Sequence, residues 1–144
     1  MDNFVSEMIV STSYSDIDKE FVVRELHQTD WAKDRPKETI LLSLTTSLCY
    51  SCFYQGKQVG FMRVITDSHT FAYLCDVVVA LEYRGKGVGK KMMKTLSDNP
   101  ELQKLNWVLR TVDAHGLYEQ FGFKKTFRPE RYMEKEMMKI SSSL

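Results

Sequence analysis

One stretch of the chain constrains its fold more than any other: Asp76-Val77-Val78-Val79-Ala80-Leu81-Glu82-Tyr83-Arg84-Gly85-Lys86-Gly87-Val88-Gly89-Lys90-Lys91-Met92-Met93. Consecutive valines favour an extended strand, because β-branched side chains suit a pleated surface. Past the glycines, Val88, Met92, Met93 and Leu96 recur at helical spacing, which predicts a helix with one face on a sheet. A strand, a glycine turn and a helix start make a receptive place for an anion. Glycine lets the backbone approach a ligand, and the first N–H groups of a helix have no internal partner. Those groups and the helix dipole together favour a phosphate. The same residues also fit a plain strand-to-helix turn whose glycines serve geometry alone.

The spacing excludes two common nucleotide loops. A G-x-x-x-x-G-K-[ST] loop fails because Gly85 and Gly89 are one residue too close and Lys91 stands where Ser or Thr is needed. A G-x-G-x-x-G fingerprint fails because Gly89 arrives one position early.

With 144 residues, 43% hydrophobic and 27% charged, the chain is expected to form a single domain with a real core, from about residue 8 to 127. A formal net charge of +1 argues against a nucleic-acid partner, which usually shows as a strong basic excess. No apolar run reaches the roughly 20 residues of a membrane span. Met1-Asp2-Asn3-Phe4 lacks the regions of a signal peptide, and three cysteines, an odd number, suit a reducing compartment, so the expected location is cytoplasmic with no membrane partner. Cys49 and Cys52 form a C-x-x-C, but their surroundings read as a strand, and no second pair or nearby histidine completes a zinc site. They are expected to be packed strand residues, and no metal is expected.

In chain order, Met8 to Ser11 reads as a short strand. Ser15 to Asp18 offers a capping box for a helix carrying Ile17, Phe21, Val22 and Leu26, which ends near Gln28. A polar break from Trp31 to Pro36 precedes a second helix from about Glu38 to Thr46. Strands follow at about Leu48–Tyr54, Val59–Thr66 and Thr70–Ala80, then the glycine turn and its helix. Trp107–Val112 reads as the next strand. A short helix capped by Asp113 and stopped at Gly122 follows, then a last strand, Phe123–Phe127, and a polar, partly helical tail. Hairpins before the glycine turn and a β-α-β after it predict an α+β fold with a mixed, mainly antiparallel sheet flanked by helices.

Arg84, Gly87 and Gly89 fall on the specified positions of [RQ]-x-x-G-x-[GA], and the stretch resembles the acyl-CoA-binding signature of the GNAT acetyltransferase superfamily. A second segment strengthens the resemblance. Ala114-His115-Gly116-Leu117-Tyr118-Glu119-Gln120-Phe121-Gly122-Phe123 is similar to the family's A-x-x-(L/F)-Y-(E)-x-x-G-F, with Tyr118 standing 34 residues after Arg84. The order of elements matches from about Met8 to Phe127.

The resemblance implies a GNAT fold in which the strand of Asp76–Val79 splays from its neighbour and pantetheine lies in the gap. Acetyl-CoA is then the implied co-substrate. Val77 and Val79, with Val78 included because a bulge hides the register, are expected to bind it through their backbones. Arg84, Gly85, Lys86, Gly87, Val88, Gly89 and Lys90 are expected to cradle its pyrophosphate. Lys86, Lys90, Lys91 and Lys94 either add charge for the phosphates or form a solvated face. By resemblance Tyr118 is the acid that protonates the departing thiolate. Asp76 has two readings, a general base for the amine or a structural partner near the bulge. His69 and His115 are the other nearby candidates for a base, and His27 reads as a partner of a helix C-terminus.

Trp31, Arg35 and Asp67 are the expected acceptor-binding residues, with Asp34, Pro36, Phe53, Tyr54 and Arg63 in the same region. They offer an aromatic and both charge signs to a small zwitterion or an amine. The implied function is N-acetyl transfer to a primary amine of a small molecule or peptide, possible as a homodimer through the tail of Met133, Met137 and Met138. The alternative from another class is a non-catalytic CoA-binding or regulatory module.

Overall fold

The computed structural model of the chain describes residues 4–137. Its sheet has five strands in the order β1-β2-β3-β4-β5: β1 (Ile9–Ser11), β2 (Leu48–Tyr54), β3 (Lys57–Thr66), β4 (Phe71–Val79) and β5 (Asn106–Leu109). All neighbours are antiparallel except β4 and β5, which run parallel. A parallel pair needs a long crossover, and the crossover here is α4 (Val88–Ser97). Other helices are α1 (Phe4–Glu7), α2 (Lys19–Leu26), α3 (Lys37–Thr45) and α5 (His115–Glu119).

Two apolar layers cover the sheet. Val88, Met92, Met93 and Leu96 of α4 pack with Cys52, Met62, Val64, Ala72 and Leu74 on one face. Phe21, Val22 and Leu26 of α2 and Ile40 and Leu44 of α3 pack with Cys49, Phe61 and Val78 on the other. The spacing of the α4 residues anticipates its layer, and each such side chain contributes about 1.5–3 kcal/mol on burial. The close approach of α4 depends on Gly60 of β3. A Cβ there would lie 2.5 Å from Val88 Cγ1 and 3.2 Å from Met92 Cε. Cys49 and Cys52 belong to opposite layers, so they form neither a disulfide nor a chelating pair.

Several boundaries differ from those read in the sequence. The expected capping box gives way to a 3-10 turn over Tyr14–Asp16, and Asp18 alone caps α2, its Oδ1 accepting from Phe21 N at 3.1 Å. At α5 the cap residue is Ala114 instead of Asp113, and Thr111 Oγ1 accepts from the Ala114 amide at 3.0 Å. Gly122, at φ +92°, does end that helix region.

The strand expected over Phe123–Phe127 is absent, because the chain is fastened elsewhere. Tyr118 O accepts from both Phe121 N and Phe123 N, and the Phe123 ring packs edge-on against Trp107 and Tyr118. The tail shows a single 3-10 turn at Pro129–Arg131, and Met133 and Met137 are exposed; Met138 lies outside the described residues. No helix among the described residues is long and apolar enough to cross a membrane.

Two outcomes follow. Gly60→Ala should cost about 1–3 kcal/mol of stability through overpacking, measured as a lower urea midpoint. Burial pushes the thiols of Cys49, Cys52 and Cys75 from 9.0 up to about 11. A raised value means that folding favours the protonated thiol, so stability present below pH 9 should be lost progressively towards pH 11. Urea unfolding at stepped pH tests this, and a midpoint unchanged between pH 9 and 11 would contradict it.

Candidate functional site

The site begins with a break in the strand pattern. Along β3 and β4, Phe61 lies opposite Val78 and Arg63 opposite Cys75, so Met62 faces two residues, Asp76 and Val77. This is a bulge, and its strained residue is Asp76 at φ +52°. The bulge inverts the alternation of side chains. Ala72 and Leu74 pack on the α4 side, but beyond it Val77 and Val79 take that side and Val78 turns to the α2–α3 side.

The same irregularity sets the backbone. Ala80 N donates to Val59 O at 2.9 Å, so Ala80 and Val78 direct their main-chain groups towards β3. Val77 and Val79 therefore point theirs out of the opposite edge. On that edge the pairing with β5 stops at Leu74–Leu109, and β5 itself ends there instead of reaching Val112. The result is a gap bordered by the main chain of Val77 and Val79. Val78 is not part of that border, because its backbone is spent on β3.

Beyond the gap the glycine turn folds as an anion cradle. Gly85 and Gly87 adopt φ +75° and +90°, and Gly87 is the N-cap of α4. Lys91 N is the first amide of the helix to find an acceptor, at Gly87 O. Among the described residues the backbone N–H groups of Gly85, Lys86, Gly87, Val88, Gly89 and Lys90 have no hydrogen-bond acceptor. Such a run of outward amides at a helix start suits a phosphate. Arg84 does not face this space with its side chain; its Nε donates to Val79 O at 3.0 Å and ties the turn to the strand. Lys94 is paired with Asp98, and Lys86 lies over the Phe4 ring at 4.7 Å, which leaves Lys90 and Lys91 nearer the role of phosphate partners.

Tyr118 sits on α5 with its ring buried against Phe123. Its hydroxyl has no partner among the described residues and is not one of their inaccessible polar atoms. Tyr118 lines a cavity of about 720 Å³ that runs along β5 between Tyr73, Trp107, Thr111 and the tail. The cavity does not reach the glycine turn. Burial, and then the charge of Asp113, raise the Tyr118 phenol above its ordinary value of 10.0, which keeps it a proton donor at neutral pH.

Asp76 is buried at 1% side-chain exposure, and three side chains converge on it. Trp31 Nε1 donates to Oδ1 at 3.0 Å, and Arg35 Nη1 and Arg63 Nε each donate to Oδ2 at 2.9 Å. Sequence reasoning found all four residues but not that they form one cluster. Their sequence separations of 45, 41 and 13 leave no local pattern to read. Asp67 is not brought to them. It stands in the β3–β4 turn, where Thr70, His69 and Phe71 donate to its carboxylate and hold it well below the usual range. His69 and His115 are exposed. His27 caps the end of α2, and its Nε2 bonds to Arg35 O at 2.8 Å, so it holds the acceptor loop.

Against known proteins, the model of the acetyltransferase (GNAT) domain matches residues 45–125, over half of the chain. The chain belongs to the GNAT acetyltransferase family. Among solved structures, a GNAT-family protein of Xanthomonas campestris pv. campestris is 44% identical with a TM-score of 0.85, over 90% of this chain and 93% of that one. A protein of unknown function from meticillin-resistant Staphylococcus aureus shares the GNAT fold, at 21% identity, TM-score 0.70 and 93% and 98% coverage. A candidate acetyltransferase of Gibberella zeae is 29% identical, and that match spans 65% of this chain and 65% of the fungal protein's length. The GNAT match begins at residue 45, the end of α3, so the loop carrying Trp31 and Arg35 lies outside it.

Asp76→Ala would strip the partner from two half-buried or buried guanidinium groups. The expected loss is about 3–5 kcal/mol, read by chemical denaturation; a loss below about 1 kcal/mol would show that the cluster does not hold the bulge.

Proposed function

We propose that the chain is an acetyl-CoA-dependent N-acetyltransferase acting on a primary amine of a small molecule or peptide. The observation that carries this reading is the run of unpartnered amides from Gly85 to Lys90 beside the strand edge of Val77 and Val79, which β5 does not pair and where Arg84 takes only the Val79 carbonyl. Enzymes of the family use acetyl-CoA as co-substrate, and the residues present fit it. The cradle takes the pyrophosphate, and the strand edge takes the pantetheine amides as an added strand would.

In this reading the N–H of Val77 or Val79 donates to the thioester oxygen as negative charge builds there, the preorganised donation that stabilises acyl transfer. The amine nitrogen forms its bond to the acyl carbon as the carbon–sulfur bond breaks. Tyr118 gives its proton to the departing thiolate, which leaves as the thiol, and the raised phenol value keeps that proton available. The amine attacks in its neutral form; its surplus proton passes to solvent, and solvent returns a proton to Tyr118, so the step is balanced.

Asp76 is assigned a positioning role instead of that of base. Both of its oxygens already accept hydrogen bonds, Oδ1 from Trp31 and Oδ2 from Arg35 and Arg63, and those three donors hold the buried carboxylate at the bulge. A non-catalytic CoA-binding module is the second reading, and the unpartnered hydroxyl of Tyr118, at the wall of a cavity, favours the enzyme.

Calorimetric titration of acetyl-CoA into the wild type and a Gly87→Glu variant is the direct test, with circular dichroism as the folding control. Wild-type binding should disappear in the variant, whose carboxylate would enter the cradle; absence of binding by the wild type would refute the reading. Tyr118→Phe should lower kcat about a hundredfold with acetyl-CoA affinity unchanged. Binding without turnover of any amine would instead favour the regulatory module.

A further inference from the structure

The cluster around Asp76 has a definite charge. Two guanidinium groups share one buried carboxylate, so the group carries an excess positive charge. Of the carboxylates that sequence reasoning placed near the acceptor, Asp76 is spent on Trp31, Arg35 and Arg63, and Asp67 on its own turn. Asp30 and Asp34, on the same loop, are exposed and bond to neither guanidinium. The charge that the fold holds in a fixed place here is therefore cationic, whereas Asp30 and Asp34 stand in solvent.

Arg35 has the geometry to use that charge. Its Nη1 is committed to Asp76, and its Nε and Nη2 have no partner among the described residues, although the side chain is only 25% exposed. Nε and Nη2 form one edge of the planar guanidinium, the edge that takes a carboxylate or phosphate through two parallel hydrogen bonds. Arg63 is less accessible, at 11%, and donates its Nη1 to Ser47 Oγ.

The edge is held in place. Arg35 O bonds to His27, Arg35 N donates to Ala32 O, and Thr29 Oγ1 accepts from Ala32 N. Trp31 is 59% exposed, yet its indole nitrogen is fixed on Asp76, the same carboxylate that holds Arg35. The whole cluster hangs on Asp76, which immediately precedes the Val77 edge of the gap.

We infer that the acceptor amine carries an oxyanion group, a carboxylate or a phosphate ester, which the Nε–Nη2 edge of Arg35 binds while Trp31 flanks the acceptor's body. This rests on the acetyltransferase reading above and names its substrate class. The positive pole selects against polycationic acceptors, and it directs an anionic acceptor so that its amine end can turn towards the gap.

The test measures thiol release from acetyl-CoA with matched probes. β-Alanine, phenylalanine and glutamate are each set against their carboxamides, O-phosphoethanolamine against ethanolamine, and spermidine stands for polycations. The oxyanion member of at least one pair should show a kcat/KM about tenfold or more above its partner, and which pairs respond separates carboxylate from phosphate. Arg35→Lys keeps a charge against Asp76 but lacks the planar edge. It should raise KM for the oxyanion probe about tenfold and leave KM for the neutral partner where it was, with acetyl-CoA affinity as the folding control.

Equal use of both members, turnover confined to spermidine, no turnover of any probe by a protein that binds acetyl-CoA, or an Arg35→Lys variant that shifts both members alike would each overturn the inference alone. A wild type that does not bind acetyl-CoA would overturn the acetyltransferase reading and this inference with it.

Discussion

A non-glycine residue at φ +52° costs about 1–3 kcal/mol unless its surroundings hold it there, and at Asp76 they do. A short polar side chain tolerates the left-handed region better than most, and its carboxylate receives hydrogen bonds from two guanidinium groups and an indole. Bonds to charged groups each contribute about 1.5–3 kcal/mol, against which stands the cost of burying the ions. The bulge that results is what turns Val77 and Val79 to the α4 side, lets Val78 fill the other layer and ends the match between β4 and β5. Without it β4 would keep its alternation, and the edge that borders the gap would present a different set of main-chain groups.

That single carboxylate joins the two halves of the site. From one side come the strand edge and the glycine cradle, from the other the loop of Trp31 and Arg35, with Arg63 of β3 completing the contact. A shift of the loop is therefore felt at Val77, one residue from Asp76. The coupling also explains why an aspartate so close to the gap is a poor candidate for the base: its position near the chemistry and its engagement with three donors have the same cause, the need to hold the bulge.

Much of this was legible in the sequence where the signal is local. The valine run, the glycine turn and the helical recurrence of Val88, Met92, Met93 and Leu96 specified a strand, a turn and a packing face within a few residues of one another, and the fold carries all three. The strand over residues 123–127 was misread because Phe123 is apolar for a different reason, packing against Trp107 and Tyr118. Asp67 looked available for an acceptor because sequence does not show that a turn consumes a carboxylate. Val78 could not be separated from Val77 and Val79 because the register depends on a bulge, and the bulge depends on contacts with residues 41 and 45 positions away.

The two sides of the site differ in what they are made of, and the difference bears on what each can recognise. The glycine turn and the strand edge present main-chain amides, which depend on glycine positions and register more than on side chains, and both fall inside the matched residues 45–125. The acceptor side is made of side chains on a loop before that match begins. Backbone amides can hold a phosphate or polarise a carbonyl, but they cannot select an amine. Selection has to come from groups with charge and shape, and on this face those are a half-buried guanidinium with an unpartnered edge and an exposed indole fixed in place. Any discrimination between ligands on this face would therefore fall to the few side chains that also hold the bulge.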